Sequence, residues 1–195
     1  MHISEGILSG GVLIAGWAVT CAGVGVGLKR TDPAKIVRTA LLASAFFLAS
    51  LVHVKIGPGS AHLLLIAPMG IILGWAVFPA VLAALMLQAL LFGFGGLLVL
   101  GVNTMVMAGS ALAVYGVFGR AVRERGSLAM AFIAGVSGVM LAAVFAGICL
   151  ALSDSGFVNA AKILAVAHIP VALIEGAVTA FLVAWLKKAA PEFLS

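Results

Sequence analysis

Runs of roughly 20 apolar residues recur along the whole chain, each enough to cross about 30 Å of hydrocarbon at about 1.5 Å per helical residue. Backbone amides and carbonyls find no water inside a bilayer, so a chain built this way closes its hydrogen bonds within helices. The breaks between runs place spans at residues 7 to 28, 36 to 53, 61 to 75, 77 to 93, 97 to 119, 128 to 152 and 162 to 187. Little remains between them, and 195 residues with 64% hydrophobic and 9% charged content leave no room for a soluble domain. The expected architecture is a single all-α integral membrane domain over residues 1 to 195, a bundle of about seven transmembrane helices. The third span is short for a full crossing, and only Trp75 to Pro79 separates it from the fourth.

The charges orient this bundle. With the N-terminus outside and the C-terminus inside, Lys29, Arg30, Lys35, Arg38, Arg120, Arg123, Arg125, Lys187 and Lys188 fall inside, and Lys55 and Lys162 outside. That split obeys the positive-inside rule, whereas removing one span would carry Arg120, Arg123 and Arg125 to the wrong side. The net charge of +5 therefore reports topology. The basic residues sit in short loops without interleaved aromatics, which excludes a nucleic-acid surface and leaves the lipid bilayer as the surrounding medium.

MHISEG at the start lacks the basic leading segment of a signal peptide, since the first cations, Lys29 and Arg30, follow the apolar run. Met1 is expected to remain the mature terminus, because His2 is too large for ordinary methionine removal. Cys21 and Cys149 form no CxxC and are expected to be inert buried thiols. Gly23 with Gly27, and Gly70 with Gly74, have the small-xxx-small spacing of closely packed helices. Residues 53 to 62, HVKIGPGSAH, and residues 92 to 96, FGFGG, break helicity at the outer edge, where they are expected to fold over a site.

His2, His53, His62 and His168 all fall on the outer side in this topology. An α-amine followed by His2 is a chelator: the amine and the His2 amide nitrogen close a five-membered ring on a metal, and the amide and Nδ1 of His2 close a six-membered ring. These three nitrogens lie in one plane, and a fourth imidazole completes a square-planar site suited to Ni²⁺ or Cu²⁺. His62, presented by the GPGSAH break, is the candidate for that corner, which gives a ligand set of Met1, His2 and His62. Ser60, Asn103, Glu5 and His53 are candidates for orienting or neutralising it. Gln88 reads as a bond between helices, His53 and His168 as outer-edge hydrogen-bonding histidines, and Glu175 as a costly intramembrane acid with a structural role.

MHISEG, GSAHLL at 59 to 64, QALLFGFGGLLVLGVNTMVMA at 88 to 108 and HIPVALIEG at 168 to 176 together resemble the CbiM/NikM family. These are the substrate-binding membrane components of energy-coupling factor transporters for cobalt and nickel. The resemblance implies a metal held by the Met1 amine, the amide and imidazole of His2, and His62. It also implies cytoplasmic ATP-binding subunits, a transmembrane coupling subunit and, in some systems, a small additional membrane subunit, in a prokaryotic plasma membrane. Ni²⁺ or Co²⁺ would be the transported substrate, nickel slightly preferred on the square-planar argument, with no organic cofactor and no catalysis by this chain. The sequence has no GxxxxGK[ST] loop. It departs from the family at Phe94, often His there, at Val99, where Thr is found nearby, and in the shorter segment before His62.

Two other readings have specific features behind them. GVSG at 135 to 138 and the Ala167–His168 pair superficially match a rhomboid-like intramembrane serine protease using Ser137 and His168. On these spans, however, the two lie roughly 14 Å from the inner end and 9 Å from the outer end of their helices, too far apart for a dyad across about 30 Å. A non-transporting membrane adaptor is the other reading, and it would have no use for an N-terminal chelate.

Overall fold

A computed structural model of the chain describes residues 3–51, 53–56 and 59–194. Its α-helices are α1 (Gly10–Arg30), α2 (Ile36–Leu51), α3 (Ile66–Leu73), α4 (Val77–Phe92), α5 (Leu100–Arg120), α6 (Leu128–Ser153), α7 (Val158–Ala167) and α8 (Ile169–Ala189). Between α2 and α3 the chain forms an antiparallel hairpin of β1 (His53–Ile56) and β2 (Gly59–His62). The segment expected as an irregular break is thus a short paired ribbon, because extended pairing satisfies backbone groups that Gly and Pro withhold from a helix.

Five helical stretches are long and apolar enough to cross a membrane: Gly10–Arg30, Ile66–Phe92, Leu100–Glu124, Leu128–Ser153 and Ser155–Ala189, with Ile36–Leu51 shorter. The surface fits that reading. Ile14, Val37, Leu152 and Phe181 are each 70% exposed or more, which suits lipid and not water. Polar groups point inward and find partners across helices: Thr20 Oγ1 donates to the Gly101 carbonyl and Gln88 Nε2 to Ser50 Oγ, the bond between helices expected of Gln88.

Ile66–Phe92 is not one straight crossing. Gly70 lies so close to the α5 backbone that a Cβ there would collide with the Ala111 carbonyl, and Gly74 faces Tyr115, so α3 packs along α5. Gly74 has φ +53°, the left-handed region that glycine tolerates, and ends α3. Past this reversal α4 runs back along α1, with Gly27 against Trp75 and Pro79 and Gly23 against Phe78. The close approaches expected of Gly23, Gly27 and Gly70 are present. The third expected span needs correction: α3 has 8 residues, about 12 Å of helix, less than half of a roughly 30 Å core. Residues 63–65, which precede it, are not helical.

α7 and α8 both pack along α6, Gly147 facing Ala161 and Gly135 facing Glu175 and Gly176, so they form one kinked helix. The kink falls at His168 to Pro170, where proline removes a backbone donor. Cys149 is buried as expected, but Cys21 faces out of the bundle, because the inward side of α1 is taken by Gly16, Thr20, Gly23 and Gly27.

Candidate functional site

Met1 and His2 lie outside the described residues, so the candidate site is framed by the segments that run on from His2 and from His62. Ile3, the residue after His2, is buried and held through both peptide groups: its N–H donates to Asn103 Oδ1 at 3.0 Å and its carbonyl accepts from Asn103 Nδ2 at 3.1 Å. Such a two-bond clamp sets the position and direction of the chain entering from His2. Asn103 sits in the first turn of α5, 4% exposed. Among the described residues its side chain grips the main chain of Ile3.

Two residues further on, Glu5 is stapled to the loop between α4 and α5. Its N–H donates to the Gly95 carbonyl at 3.1 Å, and its carboxylate accepts from the Leu98 N–H at 2.9 Å. It does not cap α1, whose N-cap is Ser9 with no side-chain bond. The FGFGG segment therefore acts as a seat for the N-terminal segment, with Gly93, Gly95 and Gly96 all at positive φ. Phe94, where the family often has His, stacks against Phe92 with ring centroids 5.8 Å apart.

His62 closes the hairpin and is 7% exposed. Its Nδ1 lies 3.1 Å from the Leu63 carbonyl, which can only accept, so Nδ1 carries the proton and Nε2 the lone pair. The strand register places His53 directly opposite His62, and Ser60 opposite Lys55. Ile3 and Leu64 both belong to the main buried apolar cluster of the bundle, which also takes in Val99, Val106 and Met107.

Glu175 explains how the His62 segment is held. Its carboxylate, fully buried in α8, accepts from the Leu64 N–H and from the Leu65 N–H at 3.0 and 3.1 Å. Leu65 has φ +47°, a strained value for a branched side chain, directly before α3 begins. The carboxyl group thus stands in for an N-cap side chain: its oxygens accept from main-chain donors at the entry to α3. Its only signal in the sequence was an acid inside a span. Nothing local linked Glu175 to residues 111 positions earlier. Thr104, next to Asn103, is the buried side chain whose hydroxyl finds no partner among the described residues.

No group of three His, Cys, Asp or Glu side chains assembles into a metal site among the described residues. Ser137 and His168 are also apart. Gly135, two residues before Ser137 on α6, packs on Glu175 and Gly176, seven or eight residues along α8 from His168. The His168 ring instead donates through Nδ1 to the Leu164 carbonyl of its own helix at 2.7 Å, as expected of an edge histidine. The geometry gives no support to a Ser/His dyad.

Comparison with known proteins decides the class. The family model for the cobalt uptake substrate-specific transmembrane region, CbiM, matches residues 2–193. The chain belongs to the CbiM family. It is similar to a Haemophilus influenzae chain bearing the general name of a metal transport protein, 41% identical over all of this chain and 97% of that one. A cobalt transport protein CbiM of Kyrpidia tusciae is 31% identical over all of this chain and 86% of its own length. A crystal structure of a transition metal transporter superposes with a TM-score of 0.82 at 28% identity, covering 96% of this chain and 93% of that chain. As a CbiM-family member this is a multi-pass prokaryotic membrane protein and a metal-uptake component.

Proposed function

We propose that this CbiM-family chain captures Ni²⁺ or Co²⁺ at the outer membrane face through the Met1 α-amine, the amide and imidazole nitrogens of His2, and His62. Nickel ranks slightly first, because a deprotonated amide is a strong-field ligand suited to square-planar Ni²⁺. The nickel reading is in keeping with the fused nickel transport protein NikMN of Rhodobacter capsulatus, 30% identical over the whole of this chain, which spans 64% of that longer protein. The observation that carries the proposal is the clamp of Asn103 on both peptide groups of Ile3, which pins the chain one residue from His2. With Nδ1 donating to the Leu63 carbonyl, Nε2 would be the nitrogen that His62 offers to the metal.

In this reading the bundle has seven passes with the N-terminus outside and the C-terminus inside, and the chain binds metal without hydrolysing ATP. Cytoplasmic ATP-binding subunits and a transmembrane coupling subunit, with a small extra membrane subunit in some assemblies, drive inward transfer. His53, opposite His62, and Ser60, two residues before it, adjust the fourth corner from the hairpin.

The test is a nickel and cobalt titration of purified protein with an unmodified Met1, against a variant carrying one extra N-terminal residue. The extension moves the amine out of its chelate ring, so high-affinity binding should vanish while the protein stays folded. Stoichiometric binding by the extended chain would exclude the amine as a ligand.

A further inference from the structure

At the end of the bundle opposite the Ile3 clamp, a pocket of about 220 Å³ opens between the end of α1, the start of α2 and the α3–α4 reversal. Its charged lining is Arg30, Lys35, Arg38 and Arg123 against one carboxylate, Asp32. Arg30, Lys35 and Arg38 come from the stretch joining α1 to α2, and Arg123 from beyond the end of α5, so the fold adds a distant fourth cation to a local three. The pocket is smaller than the roughly 300–1,000 Å³ of sites for drug-sized organic ligands.

Its guanidinium groups are held in place. Arg30 lies over the Trp75 ring at 5.2 Å, Arg123 over Tyr115 at 5.2 Å, and Arg38 over Phe193 at 4.8 Å. A guanidinium stacked on a ring can still offer N–H groups to an oxygen anion, and its stem has already lost much of its rotamer freedom; Arg123 spends its Nε–H on the Gly119 carbonyl, which leaves its terminal N–H groups for that role. Arg38 and Arg123 are half-buried, and Thr31 and Thr39 share the lining. The positive-inside tendency requires cations near this surface, but not their convergence on one cavity with aromatic supports.

The pocket mouth adjoins apolar surface. Leu28 at the end of α1 is 61% exposed, and Ile36, Val37 and Leu41 on α2 are 56%, 78% and 57% exposed. A ligand with a compact anionic head and apolar tails fits both parts, whereas free phosphate uses only the first. We infer that this pocket seats the phosphate headgroup of an anionic phospholipid, its acyl chains lying along the outward faces of α1 and α2. Basic pockets between membrane helices recognise anionic headgroups in this way.

The test is a titration of the full-length protein in neutral detergent with short-chain phosphatidylglycerol, phosphatidylcholine or inorganic phosphate. Bound lipid is read by native mass spectrometry and stabilisation by the thermal midpoint. Phosphatidylglycerol should bind and raise the midpoint, with phosphatidylcholine and inorganic phosphate far weaker. Each cation near an anionic lipid is worth roughly fivefold in affinity, so the double variant R38Q/R123Q should bind about 25-fold more weakly. R38K/R123K, which keeps both charges, should recover part of that loss, and nickel binding at the other end of the bundle, which reports intact folding, should be unchanged in both variants. Equal binding of the two lipids, or an R38Q/R123Q variant that binds phosphatidylglycerol like the parent, overturns the site. A full midpoint shift with inorganic phosphate alone overturns the lipid assignment, as does saturation by a polyglutamate peptide without any response to phosphatidylglycerol.

Discussion

Replacing Glu175 by Ala should damage metal binding at a residue outside the proposed ligand set. The carboxyl group is the acceptor for two adjacent N–H groups, the buried one of Leu64 and the part-buried one of Leu65, which lie two and three residues past His62. Ala leaves both donors without an acceptor and opens a cavity between α8 and the start of α3. A buried donor stripped of its partner costs about 1–3 kcal/mol, and two donors are affected here. Some of this is recovered when residues 63–65 shift toward other acceptors, but that shift displaces His62. If roughly 2–3 kcal/mol of holding energy is lost from the binding-competent position, nickel affinity should fall about 30- to 140-fold. Glu175→Gln keeps one acceptor oxygen and turns an N–H₂ toward the second amide, so its loss should be intermediate. Isothermal titration with nickel, paired with thermal unfolding of the metal-free protein, measures both quantities. An E175A protein with unchanged affinity and unchanged stability would show that the carboxylate does not hold the His62 segment. Destabilisation with intact affinity would confine Glu175 to the bundle.

The remaining expectations concern the ligands and their support. His62→Ala should remove the fourth nitrogen and change the metal's absorption spectrum, with affinity lowered by at least roughly tenfold, worth about 1.4 kcal/mol; an unchanged spectrum would point to His53 or His168 instead. Asn103→Ala leaves the N–H and carbonyl of Ile3 unpaired in a buried place, so nickel binding should weaken by roughly 10- to 100-fold, while Asn103→Asp, which retains the Oδ1 acceptor, should lose less; equal loss in both would refute the clamp. Metal affinity should fall as pH is lowered, because the amine, amide and imidazole must all be deprotonated to coordinate, and binding should release protons measurable in weakly buffered solution. Affinity independent of pH around neutrality would exclude this ligand set.

Much of the protein was determined by the sequence alone. Apolar runs of membrane-crossing length admit only helices or a closed barrel, and the positions of the cations gave these runs an expected direction. The small residues of α1 marked its packing side, and Gln88 its bond to a neighbour, because both signals reside in spacing along one helix. His2 behind Met1 proposed a chelate, because two of its rings close within adjacent residues.

Other features needed the tertiary structure. GPGSAH signalled a break but not the β-hairpin, since pairing depends on what the two strands meet and not on glycine and proline content. The third run was visibly short; that α3 begins part-way through the bundle emerged only from its contacts with α5, α6 and Glu175. Cys21 and Cys149 look alike in sequence, yet one faces outward and one inward, because helix rotation is set by the neighbours each helix packs against. Asn103 and Glu175 were singled out as polar residues in apolar spans, but their partners, Ile3 and Leu64–Leu65, lie 100 or more positions away. Hydrogen-bond partners that distant leave no periodicity in the chain. Local spacing therefore determined the helices and suggested the chelating dipeptide, and only the packed bundle decided which side chains hold the segments that run on from His2 and His62.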